Sequence, residues 1–253
     1  MSMFQGKTVL VTGAGAGIGR VTARRFAEEG AAVGCVDLNG DAVTELAARL
    51  KGKGLKAFAV KADVSLADDN QRMVDAAITE TGRLDVAYLN AAWLPPPGGI
   101  LEADLDRFDR VIAINLKGCL LGLRAAAAVM SEGGAFVVTS SAAGIRGYPD
   151  NPFYSMSKHG VIGLVRSAAR DLSAKGLRIN AICPGGVRTA MSTQGPADEL
   201  EGVTPDTLPL VPYRTAGFAE HIAEYVLFLS SQRANYITGS VHTIDGGLTT
   251  ALG

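Results

Sequence analysis

The chain is short of cysteine, of aromatic residues and of unbalanced charge, and each shortage narrows what it can be. Its three cysteines, Cys35, Cys119 and Cys183, stand far apart with no CxxC spacing among 253 residues. That supports neither a disulfide frame nor a zinc site, and no metal centre is expected; the three read as buried thiols in a reducing compartment. Lys and Arg number 24 against 25 Asp and Glu, for a formal net charge of -1. Without a run of Lys or Arg there is no electrostatic footprint for nucleic acid or an anionic membrane. The opening "MSMFQGKTVLVTG" has no signal-peptide pattern, and no apolar run reads as long enough to cross a bilayer. The expectation is a cytoplasmic protein that binds neither nucleic acid nor membrane.

What is present is an alternation. Short apolar runs ("KTVLVTG", "AAVGCVDL", "KAFAVKADV", "LDVAYLNAA", "GAFVVTSS", "LRINAICPGG") alternate with helical stretches near 17–29, 41–54, 67–81, 104–130 and 152–174. A last helix near 217–230 and a strand at 240–244 finish the chain. Strand–helix alternation predicts an α/β fold, a parallel sheet covered on both faces, with right-handed crossovers. The strands are continuously apolar, as two buried faces require. No composition shift marks a boundary, so one domain is expected over 1–253. Residues 189–215 break the rhythm with four prolines, and by their place after a strand they are where a substrate lid would sit.

"TGAGAGIG", residues 12–19, joins the first strand to the first helix. Gly13 permits the tight turn, while Gly17 and Gly19, flanking Ile18, allow backbone and helix to approach a ligand. The helix N-terminus then offers free N–H groups to a pyrophosphate. Asp37 ends the second strand, 18 residues after Gly19. A carboxylate there can accept from an adenosine ribose and repels a 2′-phosphate, which favours NAD; the competing reading is an Asp that caps the next helix. Arg20, just after the loop, is the one residue that could favour a phosphate.

In "YSMSK", Tyr154 and Lys158 stand at i and i+4, on one helix face. A phenol titrates near pH 10, and bringing it to about 7 requires roughly 4 kcal/mol in favour of the phenolate. One cation about 4 Å away supplies an interaction of that order. Lys158 is therefore expected to be sufficient if it sits near the ring. Ser141 is expected to close the fifth strand, with Ser140 better suited to capping the turn that follows. Asn115 lies inside the long helix, where Asn has poor propensity. Read from its residue type alone, it is a buried Asn satisfied by backbone. None of the three histidines makes metal spacing with a carboxylate or thiol.

"TGAGAGIG", "LNAA", Asn115, "SS" at 140 and 141, "YSMSK" and "PGGVRT" occur in the order and spacing of the short-chain dehydrogenase/reductase family, which nearly the whole chain resembles, up to "IDGG" at 244–247. The resemblance is to the short, single-domain branch. It implies a Rossmann-type doubly wound sheet of seven parallel strands and a catalytic group of Asn115, Ser141, Tyr154 and Lys158, with Asn115 holding a proton-relaying water. It further implies that Asn90 lines the ribose side, that Asp63 and Val64 contact adenine, that Pro184, Gly185 and Val187 shape the loop under the nicotinamide, and that Thr189 bonds its carboxamide. Ala92 stands where most relatives have Gly. A homotetramer is implied as well, through the long helix, the helix bearing Tyr154 and the last strand.

The function expected is an NAD-dependent oxidoreductase that transfers hydride between a secondary alcohol and nicotinamide, giving the ketone. The pocket is expected from Trp93, Leu94, Ser141, Ile145, Tyr148, Phe153, Met191 and Tyr213. It has no convergent Arg or Lys, which predicts an uncharged, hydrophobic, cyclic small-molecule substrate. The alternatives are a ketoreductase of 3-oxoacyl thioesters using NADH or NADPH and, from another class, a non-catalytic NAD-sensing protein.

Overall fold

The computed structural model describes residues 2–189, 211–213 and 217–251. Seven strands form one sheet in the order β3-β2-β1-β4-β5-β6-β7, and every neighbouring pair is parallel. They are β1 (Thr8–Thr12), β2 (Ala32–Asp37), β3 (Lys56–Lys61), β4 (Val86–Leu89), β5 (Ala135–Thr139), β6 (Arg178–Pro184) and β7 (Val241–Ile244). The inner strands β1, β4, β5 and β6 are buried at every position, while the edge strand β3 is exposed at three of its six. A parallel strand roofed by helices on both sides has no solvent face, whereas an edge strand keeps one.

Helices α1 (Gly17–Glu28), α2 (Gly40–Gly52) and α7 (Ala219–Ser230) cover one face, where Phe26, Leu46 and Val226 join the strand side chains. Helices α3 (Ala67–Thr81), α4 (Leu105–Ile112), α5 (Gly118–Val129) and α6 (Pro152–Ser173) belong to the other, around Met73, Leu123 and Val165. Local chemistry fixes several ends. The Asn39 side chain accepts from the Ala42 N–H at 3.2 Å to start α2. Asp104 accepts from the N–H groups of Asp106 and Arg107 to start α4. Gly82, at φ 75°, closes α3 in the left-handed conformation that glycine adopts without strain.

Two element boundaries differ from the sequence expectation. The long helix is interrupted by one π-helical stretch, Ala113–Lys117, with Asn115 at its centre. Single π turns inside α-helices collect at functional sites. β5 stops at Thr139, so Ser140 and Ser141 lie beyond the strand. The whole stretch Leu105–Val129 also has the length and, at mean hydropathy 1.5, the composition of a bilayer-crossing helix, contrary to the sequence reading. Its inward residues Cys119, Leu123 and Ala126 pack in the core, which is what a core helix does with such a sequence.

Candidate active site

The strand order reverses direction between β1 and β4. In such sheets the crevice at the strands' carboxyl ends, at that reversal, is where ligands bind. The loops after β1, β2, β4, β5 and β6 bring the glycine loop, Asp37, Asn90, Ser141 and Pro184 to that edge.

The residues present fit a dinucleotide. α1 opens at Gly17 with Ala16 as its N-cap and no side-chain cap, so its first N–H groups have no side-chain acceptor. A Cβ on Gly19 would collide with the Gly13 carbonyl oxygen, and one on Gly17 (φ 51°) would press on the Thr189 side chain at 3.1 Å. The glycines therefore keep a backbone-lined cradle open for an anion at the helix end. Gly19→Ala is expected to force that loop apart, abolishing dinucleotide binding in a titration and costing about 1–3 kcal/mol of stability in denaturant melts. Ile18 packs against the core behind the loop.

Asp37 lies over the same loop. One carboxylate oxygen accepts from the Gly15 N–H at 2.9 Å, the other from the Asn39 N–H at 2.9 Å. The helix cap is Asn39, so the capping reading of Asp37 gives way to a carboxylate held against the glycine loop. Asp63 is turned inward on its own loop, accepting from the Ser65 N–H and hydroxyl, and the Val64 carbonyl accepts from the Asn70 amide. The Asn90 side chain is engaged in tying strands together: it donates to the Thr12 carbonyl at 3.2 Å and accepts from the Tyr88 and Thr139 hydroxyls, each at 3.1 Å. That network holds the ends of β1, β4 and β5 in place and is unreadable from "LNAA" alone. Gly185 donates to the Ile244 carbonyl at 3.0 Å, and Val187 bridges to Gly217, so the segment after Pro184 is tied to the last strand and to the start of α7. Thr189 is buried beside Gly17.

Tyr154 and Lys158 share one face of α6. The Lys158 ammonium lies 5.5 Å from the centre of the Tyr154 ring. Lys158 is 1% exposed, donates to the Thr139 carbonyl at 2.9 Å and makes no ion pair among the described residues. Burial pulls its pKa down from the ordinary lysine value. Burial also pushes the Tyr154 phenol up to about 12, against a hydrogen bond from Ser141 that favours the phenolate. Burial therefore adds a cost to ionisation that the residue types alone do not reveal. Descending from 12 to near 7 takes roughly 7 kcal/mol. A cation about 4 Å from the phenolate oxygen supplies about 4 kcal/mol at a typical effective dielectric. The N-terminus of α6, where Tyr154 occupies the first turn, adds about 0.3–1 kcal/mol. A further positive charge is needed to ionise the phenol at neutral pH.

Ser141, and not Ser140, caps the turn after the strand. The Ser141 hydroxyl accepts from the Ala143 N–H at 3.1 Å, capping the turn, and also reaches Tyr154. Ser140 donates to the Lys158 carbonyl at 2.8 Å, pinning α6 to the end of β5. Asn115 is fully buried; its amide accepts from the Trp93 N–H at 2.7 Å and donates to the Trp93 carbonyl at 2.9 Å and to Ser157 at 3.2 Å. Its side chain thus matches the plain reading of a buried Asn satisfied by backbone, and it fastens the loop after β4.

The expected pocket residues separate into two groups. Tyr148 is near Tyr154, ring centres 6.3 Å apart, and Ile145 follows the Ser141 turn, half-exposed. Phe153 instead packs edge-on against Phe108 of α4, at 5.4 Å, because adjacent helix positions face different ways. Trp93 carries the Arg110 guanidinium 4.3 Å over its ring. Leu94 continues the same loop; Tyr213 is 77% exposed, its N–H on the Gly246 carbonyl. Met191 lies outside the described residues, as does most of 189–215. A recess between Pro95–Arg107 and Asn151–Phe153 includes none of the four catalytic candidates. His221 accepts from the Phe218 N–H at 3.2 Å, His242 meets the Tyr225 hydroxyl at 3.1 Å, and His159 meets the Ser155 carbonyl at 2.9 Å. No group of three or more potential metal ligands occurs among the described residues.

Comparison with known proteins places this geometry. Residues 13–249 match the family model described as enoyl-(acyl carrier protein) reductase. The chain is 35% identical over 251 residues to a short-chain dehydrogenase/reductase, aba4, of Botryotinia fuckeliana, covering 96% of this chain and 97% of that protein. It is 34% identical over 248 residues to a cyclohexanol dehydrogenase of an Acinetobacter species, covering 97% of this chain and 96% of that protein. The crystal structure of levodione reductase superposes with a TM-score of 0.90 at 34% identity, over 98% of this chain and 99% of that one. The chain belongs to the short-chain dehydrogenase/reductase family and is an oxidoreductase of that type, working with a nicotinamide cofactor on a small-molecule substrate.

Proposed function

We propose that this protein is an NAD-dependent dehydrogenase of hydrophobic, cyclic secondary alcohols, interconverting alcohol and ketone, with Tyr154 as the proton-transferring group. The observation that carries the reading is the buried Lys158 ammonium 5.5 Å from the centre of the Tyr154 ring, with Ser141 beside the same phenol. The similarity to a cyclohexanol dehydrogenase supports the ring-shaped substrate. The glycine loop, Asp37 and Lys158 would hold the dinucleotide. When bound there, the nicotinamide supplies the acceptor for the substrate's hydride and, oxidised, the further positive charge that the phenol requires. Ser141 holds the substrate oxygen by hydrogen bonding. Tyr154 accepts the hydroxyl proton as its carbon is oxidised and returns it in the opposite direction. Lys158 stabilises the phenolate. Asn115 positions the loop after β4 through Trp93. Residues 189–215 serve as a lid, and the assembly is a homotetramer.

Asp37 carries the preference for NAD. Asp37→Ala is expected to weaken NAD and strengthen NADP; an unchanged ratio of dissociation constants removes Asp37 from the cofactor site. The alcohol reading is tested by a panel of secondary alcohols with NAD, followed at the NADH absorbance band. Uncharged cyclic alcohols should be turned over fastest. The match to a family model described as an enoyl-(acyl carrier protein) reductase favours a second reading, reduction of acyl thioesters. Preference for 3-oxoacyl thioesters with NADPH in the same assays would replace the first reading with it.

A further inference from the structure

A close ion pair beside the glycine loop takes no part in the chemistry above. Arg20 stands one residue after Gly19, on the first turn of α1. Its Nη2 donates to both carboxylate oxygens of Glu45, each at 3.0 Å, and its Nη1 donates to the Gly15 carbonyl at 3.5 Å. Gly15 is the residue whose N–H is held by Asp37, and a Cβ placed on it would meet the Asp37 carboxylate at 2.9 Å and the Ala42 side chain at 3.3 Å. Ala42 and Glu45 are three apart on α2, hence on one face of it. Arg20, Gly15, Asp37 and Glu45 are therefore one cluster, at the place where an adenosine 2′ substituent would be read. The Arg20 side chain is only 17% exposed, whereas Glu45 is 60% exposed.

We infer that Glu45 is a second determinant of dinucleotide choice, a positioning residue that withholds Arg20 from a 2′-phosphate. The inference rests on the reading that a dinucleotide lies over the glycine loop and deepens its preference for NAD. A 2′-phosphate binds through guanidinium donors in a fork, and Arg20 is the residue of that kind next to the loop. Glu45 takes Nη2 with both its oxygens, and the Gly15 carbonyl takes Nη1. Asp37 repels the phosphate directly; Glu45 removes the cation that would offset that repulsion. An exposed ion pair stabilises a fold little, so the contribution expected of Glu45 is to selectivity and not to folding. Lys61 is the other cation in reach, since its residue pairs in register with Asp37 and its stem lies across Gly40. The test must therefore separate Arg20 from Lys61.

Calorimetric titrations of NAD and NADP are made on the wild type, R20A, D37A, D37A/E45Q and D37A/E45Q/R20A. Adding E45Q to D37A should shift the ratio of dissociation constants a further fivefold or so towards NADP, the scale of one exposed pair released. Adding R20A should cancel that gain. A ratio unmoved by E45Q overturns the proposal, because Arg20 then gains nothing from release. A gain that survives R20A also overturns it, since Glu45 then acts by its own charge or through Lys61. The wild-type ratio tests the NAD reading separately. Should the wild type prefer NADP, that reading falls; the withholding of Arg20 falls with it only where R20A alone weakens NADP, and stands where R20A does not.

Discussion

Replacing Tyr154 by Phe is expected to lower turnover by about 10⁴, the upper end of what a positioned acid or base contributes, while leaving dinucleotide affinity essentially unchanged. Only the hydroxyl is lost. The ring keeps its edge contact with Tyr148, and the helix keeps its register, because Phe and Tyr fill nearly the same volume. The effect is large because nothing nearby can take over. Ser141 titrates far above any working pH, and Lys158 is fully buried with its ammonium on the Thr139 carbonyl. The cofactor contacts proposed for the glycine loop and Asp37 lie on other elements. The direction of the pH dependence follows from the same role. Oxidation needs the phenolate, so its rate should rise with pH up to the Tyr154 pKa of the cofactor complex, and reduction should fall over the same range. Stopped-flow turnover and a binding isotherm on the same preparation decide the matter. An equal loss of turnover and affinity would make Tyr154 a binding residue and contradict the proton-transfer role.

The order of strands and helices is readable from the sequence because a parallel sheet covered on both sides forces long apolar runs into every inner strand, and β1, β5 and β6 are such runs. Several residues of the candidate site are readable because glycine spacing and an i, i+4 pair are local patterns. What depends on partners distant in the chain is not. The Asn90 network needs Thr12, Tyr88 and Thr139 from three strands, and nothing in "LNAA" announces Tyr88 as a donor. Arg178 reads as one charge in an apolar strand, yet its guanidinium is buried against the Leu229 and Ser231 carbonyls at the end of α7. That Ser141 and not Ser140 caps the turn depends on where β5 stops, a shift of two residues that strand propensity does not resolve. The distance between Lys158 and Tyr154 is likewise set by packing and not by spacing. Burial of the phenol, also invisible in the spacing, raises what its ionisation demands beyond one neighbouring cation.

Lys158→Met should have opposite effects on activity and stability. A cation about 4 Å from the phenolate oxygen contributes about 4 kcal/mol, and losing it predicts a fall in turnover of about 10² to 10³ from this term alone. Dinucleotide affinity should fall as well, since the ammonium is proposed as a ligand, and this distinguishes the variant from Tyr154→Phe. Stability should move the other way. Lys158 is 1% exposed, without a carboxylate among the described residues, and burial lowers its pKa below the unfolded value. Below that lowered pKa the ammonium is charged in both states and folding bears its full desolvation. As pH rises from the folded pKa towards the unfolded one, the unfolded chain binds more protons and the native state gains. Desolvating one ion costs several kcal/mol, more than the 1–3 kcal/mol for leaving the Thr139 carbonyl without its donor. Methionine fills similar space with no charge. The melting temperature at neutral pH should therefore rise, by about 2–4 °C for each kcal/mol gained, and the rise of stability with pH in the alkaline range should flatten. Calorimetric melts at neutral and alkaline pH, beside kinetics, decide it. A less active and less stable variant would mean that the ammonium is held mainly to support the fold, whereas a loss of activity with a gain in stability is what a charge kept buried for chemistry predicts.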